Sequence, residues 1–339
     1  MHAPPMNNMS STALGVGLVG VGRHGSRYVH HLLHDLPEAE LIAICRRSGG
    51  AYPGLDVPVY DDYRALIADP RVEAVVVVTP PSLCHRICLS AVKGGKAILV
   101  EKPLAINGRE ARAMVAAAEA AGVPLMTAQT MRFDPTILLL RELLPTIGTL
   151  HSATFISHIE TKANTTVGEH GPVALGVLLE VGVHLLDLIR YLTGQEMHDV
   201  QCTMTPSPDI APETRVQARI RTSAGIVCTL DVARVDGQRQ GRGSWTGSEG
   251  TITVDWVTRN VTRTTAAGAL QSWTLEPRPT IVATLQAFVR AVRMKTAPPI
   301  TGLDGCLAVE AADACYRSAS VNGAVAPIES RAGTSTSRD

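Results

Sequence analysis

Glycines 20, 22 and 25 constrain this chain more than any other feature, because of what stands on either side of them. An apolar run, Leu14 to Val19, leads into Gly20-Val21-Gly22-Arg23-His24-Gly25, and a segment of helical periodicity (Tyr28, Val29, Leu32, Leu33, Leu36) follows as far as Pro37. That order predicts strand, tight turn, helix. The first glycine permits a turn that a side chain would obstruct, the second lets backbone approach a pyrophosphate, and the third allows close helix-strand packing. Exposed N–H groups at the helix start then hold the phosphates. Gly20, Gly22, Arg23, His24 and Gly25 are therefore candidate dinucleotide-binding residues. Gly15-x-Gly17-x-x-Gly20 has the same spacing, but only the later register has a strand before it and a helix after it.

The next stretches continue the alternation. Ala39 to Cys45 reads as a second strand ending in Arg46-Arg47-Ser48. At this position an acidic residue bonds the ribose 2′-hydroxyl of NAD, whereas arginine accommodates the 2′-phosphate of NADP. Arg46 and Arg47 therefore favour NADP over NAD. Tyr60 to Leu66 reads as a short helix, and Val72 to Val78 is a continuous β-branched run suited to a strand covered on both faces. Thr79-Pro80-Pro81 ends it. A helix over Ser82 to Val92 is closed by Gly94-Gly95, and the strand Ala97 to Val100 runs into Glu101-Lys102-Pro103. Asn107 with Glu110 predicts a helix cap, Ala111 to Ala121 a helix stopped by Gly122, and Val123 to Thr130 another strand. The sum is an α/β doubly wound parallel sheet, whose ligand belongs at the carboxyl ends of its strands.

After a helix from Asp134-Pro135 to Leu144 the pattern changes. Thr149 to Ile159 alternates as a half-buried strand, Val173 to Leu192 is helical, and extended runs follow at Val200–Met204, Arg215–Arg221, Ile226–Arg234 and Thr251–Trp256. Ser223-Ala224-Gly225 sits between two of them as a hairpin turn should. Helices over Ile281–Met294 and Asp304–Ser320 flank a Pro-Pro loop. This predicts a Rossmann domain over residues 13–131 and an α+β domain over 132–330 with a large, mostly antiparallel open sheet. Residues 1–12 and 331–339 read as flexible tails.

Lys plus Arg and Asp plus Glu are equal at 31 each, so no net field attracts nucleic acid or an anionic membrane. With 4% aromatic residues the second domain offers no stacking platform for single strands. The apolar run Ala13–Val21 is too short to span a bilayer and lacks a basic region before it, which points to the cytoplasm. The seven cysteines read as reduced thiols without zinc-ligand spacing. His24, His30, His31 and His34 cluster on the first helix, but with no carboxylate or cysteine counted among them they are assigned to a solvent face, and no metal site is expected.

Five separated stretches share one pattern: Gly20-x-Gly22-x-x-Gly25, Thr79-Pro80 with His85, Glu101-Lys102-Pro103, Arg132-Phe133-x-Pro135 and Gly182-x-His184-x-x-Asp187. In order and spacing the chain resembles the Gfo/Idh/MocA family over nearly its whole length. The resemblance implies NAD(P)-linked oxidation or reduction of sugars, polyols or inositols, with the open sheet used to form a homodimer or homotetramer. It implies cofactor contacts from Thr79, Pro80, His85, Glu101 and Lys102 beside the glycine turn. Lys102 matches the family's catalytic lysine, His184 its catalytic histidine, and Arg132 a position that often contacts substrate. Where inositol dehydrogenases carry Asp, four residues before His184, this chain carries Glu180, and where NAD-using members carry Asp after the second strand it has Arg46.

Oxidising a secondary alcohol requires a base within reach of the hydroxyl proton and a positive group beside the oxygen. His184 suits the first role and Lys102 the second. Glu180, one helical turn before His184, is expected to bond the imidazole or a second substrate hydroxyl. Asp187 could instead serve only to pair with Arg190 or Tyr191. Residues 161–172, with Lys162, Asn164, Glu169 and His170, read as a substrate lid or a plain connection. Two other readings compete with a dehydrogenase: a glycoside hydrolase using NAD transiently, and a nonenzymatic dinucleotide sensor.

Overall fold

The computed structural model describes residues 13–47, 50–161, 175–206 and 213–328. The tails and residues 162–174, which include Lys162, Asn164, Glu169 and His170, lie outside that set. Six parallel strands form the first sheet: β1 (Leu14–Val19), β2 (Ala39–Cys45), β3 (Val59–Tyr60), β4 (Ala74–Val77), β5 (Ala97–Glu101) and β6 (Leu125–Ala128). Their order is β3-β2-β1-β4-β5-β6, so the chain reverses direction across the sheet at β1 and β4. The connecting helices are α1 (Gly25–His34), α2 (Tyr63–Ala68), α3 (Pro81–Lys93) and α4 (Gly108–Ala121).

Local chemistry accounts for these boundaries. Every residue of β4 is buried, as the β-branched run requires of a strand covered on both faces. Asn107 caps α4 by accepting the Glu110 N–H at 2.9 Å, an arrangement typically contributing about 1 kcal/mol, and Gly122 ends the helix in left-handed conformation. The expected helix at Tyr60 starts later. Val59 and Tyr60 add an edge strand, and Asp62 caps α2 through the Arg64 N–H. Gly15 and Gly17 lie inside β1, where a Cβ would meet Arg71 O at 2.1 Å and Leu66 Cδ2 at 2.5 Å. The earlier glycine register is therefore a packing feature.

The second sheet has nine strands: β7 (Leu150–Glu160), β8 (Met197–Pro206), β9 (Glu213–Thr222), β10 (Val227–Val235), β11 (Gln240–Gly247), β12 (Gly250–Asp255), β13 (Asn260–Thr265), β14 (Leu270–Thr274) and β15 (Ala326–Pro327). All neighbours are antiparallel except β7 with β10. The 223–225 hairpin turn forms, with Gly225 at φ +83° and the Thr222 N–H bonded to Ile226 O at 3.0 Å. Four more α-helices stand among the described residues: α5 (Pro135–Leu143), α6 (Val183–Thr193), α7 (Thr280–Met294) and α8 (Gly302–Ser320). Packing crosses the expected domain boundary. Ile281, Leu285, Phe288 and Val289 of α7 join the core formed by Leu14, Val16, Tyr28 and Leu99 of the first sheet and its helices. No helix among the described residues is long and apolar enough to cross a membrane.

Candidate active site

The glycine turn opens at the carboxyl end of β1. Gly20 has φ +96°, and a Cβ there would lie 2.2 Å from Val78 O. At Gly25 a Cβ would lie 1.9 Å from Gly20 O, so the helix start can approach the strand only without a side chain. Gly22 differs, since its missing Cβ would face open space. The three positions match the requirements for turn, close packing and ligand approach, which is the fit a pyrophosphate needs. Thr79 abuts Gly20, and Pro80 precedes α3, which carries the half-buried His85. Arg23 is exposed at the start of α1. At the end of β2 the Arg46 guanidinium stands 5.9 Å from the centroid of the Tyr52 ring, and Arg47 is exposed.

Glu101, the last residue of β5, is held by its own neighbours. Its side chain is buried, and the Tyr28 hydroxyl donates to Oε1 at 2.5 Å, His24 Nε2 lies 2.7 Å from the same oxygen, and the Lys102 N–H donates to Oε2 at 3.0 Å. Burial pushes this carboxyl up, but the His24 contact and the charges of His24 and Lys102 outweigh it and hold it below the usual range. Glu101 thus fastens α1 and the turn before it to the end of β5.

The Lys102–Pro103 peptide is cis. Lys102 and His184 open onto one cleft of about 510 Å³ between the carboxyl edge of the first sheet and the near end of the second. Glu180, Arg234, Arg239 and Trp256 also line it. A larger hollow of about 890 Å³ lies at the opposite edge, against Leu14, Lys96 and Ala97 at the starts of β1 and β5, away from the end where parallel-sheet ligands bind.

Two expectations are corrected here. Glu180 does not bond the imidazole: its carboxylate pairs with Arg234, whose side chain is 7% exposed, while its main-chain carbonyl accepts from Lys102 Nζ at 2.5 Å. The physical reason is local winding. Residues Leu178–Gly182 form a wide turn before α6, with the Val183 N–H bonded to Leu178 O five residues back, so regular helical spacing to His184 is lost. His184 instead meets Gln129, with Nδ1 2.8 Å from Oε1. Burial, with Lys102 adding to it, drives the His184 pKa well below the usual imidazole value, so the ring is neutral. Lys102 is itself lowered by burial, against the opposing charges of Glu101 and Glu180.

Arg132 is the second. It donates twice to Asp187, at 2.7 and 2.5 Å, stands 3.1 Å from Asp304 Oδ1, and lies over Tyr191 at 4.9 Å. It is 7% exposed and does not line the cleft. Two motif residues thus meet as a buried bidentate pair. Asp187 pairs with Arg132 rather than Arg190, which binds Glu196 and Asp304.

On the solvent side of α1, His30, His31 and Asp35 bring ligand atoms within 4.8 Å of one another, with His31 Nδ1 2.7 Å from Asp35 Oδ2. Asp35 supplies the carboxylate that the sequence count left out, and none of the three lines the cleft. Sequence reading also passed over Gln129, Arg234 and Arg239. Gln129 follows β6, and a polar residue at a strand's carboxyl end is a signal. Arg234 had none, because its partner Glu180 lies 54 residues away in the chain and meets it only through tertiary packing.

Comparison with known proteins agrees with the geometry. The model of the oxidoreductase family with NAD-binding Rossmann fold matches residues 14–129, and that of the GFO/IDH/MocA C-terminal domain matches residues 145–253. A D-apiose dehydrogenase of Paraburkholderia graminis is 27% identical over 333 residues, covering 89% of this chain and 86% of the relative. An inositol 2-dehydrogenase of Rubrobacter xylanophilus is 26% identical over 321 residues, covering 91% of each. Among solved structures, a levoglucosan dehydrogenase in complex with NADH and levoglucosan superposes with TM-score 0.82 at 21% identity, covering 94% of this chain and all of that one. With both halves matched, this chain belongs to the Gfo/Idh/MocA family of oxidoreductases.

Proposed function

We propose that this protein is a dehydrogenase or reductase acting on a secondary alcohol or ketone carbon of a sugar, polyol or inositol, with His184 and Lys102 as its catalytic residues. The observation that carries the reading is that these two side chains, from opposite halves of the chain, open onto one cleft beside the glycine turn. When bound, the nicotinamide supplies the two-electron acceptor or donor. Gly20, Gly22 and Gly25, with Thr79 and Pro80, would hold the dinucleotide, its pyrophosphate at the glycine turn. His184, neutral in its enclosed site, takes the hydroxyl proton during oxidation and returns it during reduction. The Lys102 ammonium, anchored on the Glu180 carbonyl, favours negative charge on the reacting oxygen. Glu180 and Arg234 form a fixed polar wall that orients the remaining hydroxyls.

Arg46 and Arg47 favour NADP over NAD, since guanidinium groups bind phosphate through charge-assisted, partly bidentate bonds. The uncovered face of the nine-stranded sheet is the surface through which copies of the chain would associate. Sugars, inositols and ketosugars assayed with NADP and NAD by nicotinamide absorbance test the reading. A net absorbance change with a sugar or polyol is expected. Tight cofactor retention with substrate turnover but no net change would favour the hydrolase alternative and overturn it.

A further inference from the structure

We infer that Gln129 is a positioning residue: it holds His184 as the Nδ1-protonated tautomer and leaves Nε2 as the atom that exchanges a proton with substrate. The inference rests on the reading of His184 as the acid-base group. Gln129 is 1% exposed and follows β6 directly. Its backbone is held on both sides, by its own N–H to Thr127 O at 2.9 Å and by the Arg132 N–H to its carbonyl at 3.0 Å. From that fixed base its side-chain Oε1 lies 2.8 Å from His184 Nδ1. A neutral imidazole carries one proton, and a carbonyl oxygen can only accept, so the proton sits on Nδ1. Nε2 then presents a lone pair, and His184 borders the cleft that Lys102 also borders.

The choice of an amide has a consequence of its own. When Nε2 takes a proton, both ring nitrogens become donors, and Gln129 already offers Nδ1 an acceptor. A carboxylate would do the same and also favour the charged ring before substrate arrives. The amide supplies direction without charge, so the resting base stays free. Lys102 from the end of β5, Glu180 from the turn before α6, and Arg234 and Arg239 from the second sheet share the cleft. Glu160, Asp134 and His24 complete its charged lining. None of these changes when only Gln129 is replaced. The Gln129 Nε2 atom has no partner among the described residues. In the opposite amide orientation it would donate to Nδ1 and put the ring proton on Nε2, where it could not accept another.

Two measurements decide. In ¹⁵N-histidine spectra of the full chain, with His184 assigned by its loss in His184→Gln, Nδ1 should be protonated and Nε2 bare. The reverse pattern overturns the inference. In kinetics, Gln129→Leu should lower kcat with KM nearly unchanged and mix the two tautomers. Gln129→Glu should restore turnover and move the acid limb of kcat/KM upward by about one to two pH units, as an adjacent carboxylate does. If Gln129→Leu keeps wild-type kcat and tautomer, or Gln129→Glu leaves the limb in place, Gln129 has no positioning role. Failure of the catalytic reading looks different: His184→Gln would keep its turnover while the wild-type spectrum still showed the Nδ1 proton.

Discussion

The Lys102 ammonium donates to the main-chain carbonyl of Glu180 at 2.5 Å. This bond joins the edge of the first sheet to the turn that leads into His184, so the Lys102 ammonium is placed by the segment that carries the other candidate catalytic group. Replacing Lys102 with Met removes the charge and the tether together. Turnover is expected to fall by about 10²–10³, the usual cost of losing a preorganised charge-stabilising donor. Nucleotide binding, followed by fluorescence, should change little, and a turnover loss under about tenfold would show that the ammonium acts only as a tether.

The pH profile follows from the enclosed imidazole. A base must be neutral to accept a proton, and burial beside Lys102 keeps His184 neutral well below the ordinary imidazole value. The acid limb of kcat/KM should therefore lie below about 6.5 rather than at it. Stability carries the same sign. Between the folded and unfolded pKa values the unfolded ring binds a proton that the folded ring refuses, so this contribution is complete above the unfolded value and is lost as pH falls toward the folded one. A limb at or above the ordinary value, measured with a stable substrate, would contradict the assignment.

Arg132 and Asp187 should matter for stability more than for substrate. Arg132→Met leaves the Asp187 carboxylate buried and unpaired, which typically costs about 3–5 kcal/mol, and Arg132→Met with Asp187→Leu should recover most of it. Chemical denaturation measures both. A single variant of native stability but strongly raised KM would return Arg132 to the substrate site.

Cofactor choice rests on the end of β2. Arg46→Asp should exchange a phosphate-binding cation for an acceptor of the ribose hydroxyl and reverse the order of the NADP and NAD affinities. Wild-type protein that already binds NAD more tightly would show that Arg46, beside the Tyr52 ring, does not serve the phosphate.

How far the sequence was legible depended on distance along the chain. The glycine turn, β4 and the Asn107 cap are local, and their periodicity and turn chemistry placed them within a few residues. The strand β11 escaped because it is rich in glycine. Gly243 leaves room for the Trp245 ring, whose Cη2 would stand 2.5 Å from an added Cβ, and such a strand has little β-propensity to read. The partners of Glu180 and Arg132 escaped for another reason. Regular helical spacing placed Glu180 beside His184, but the wide turn at Leu178–Gly182 releases it to Arg234, a partner set by tertiary packing alone. Arg132 meets Asp187, 55 residues further along the chain, again through tertiary packing.

The central claim is that His184 is the proton acceptor, and the turnover of His184→Gln on the substrate found by screening tests it most directly. Gln keeps polarity and approximate size but cannot take the proton at neutral pH. Turnover should fall by about 10²–10⁴, the contribution of a positioned acid-base group, with nucleotide affinity unchanged. Near-normal turnover in that variant would contradict the account and leave Lys102 as the group that accepts the proton.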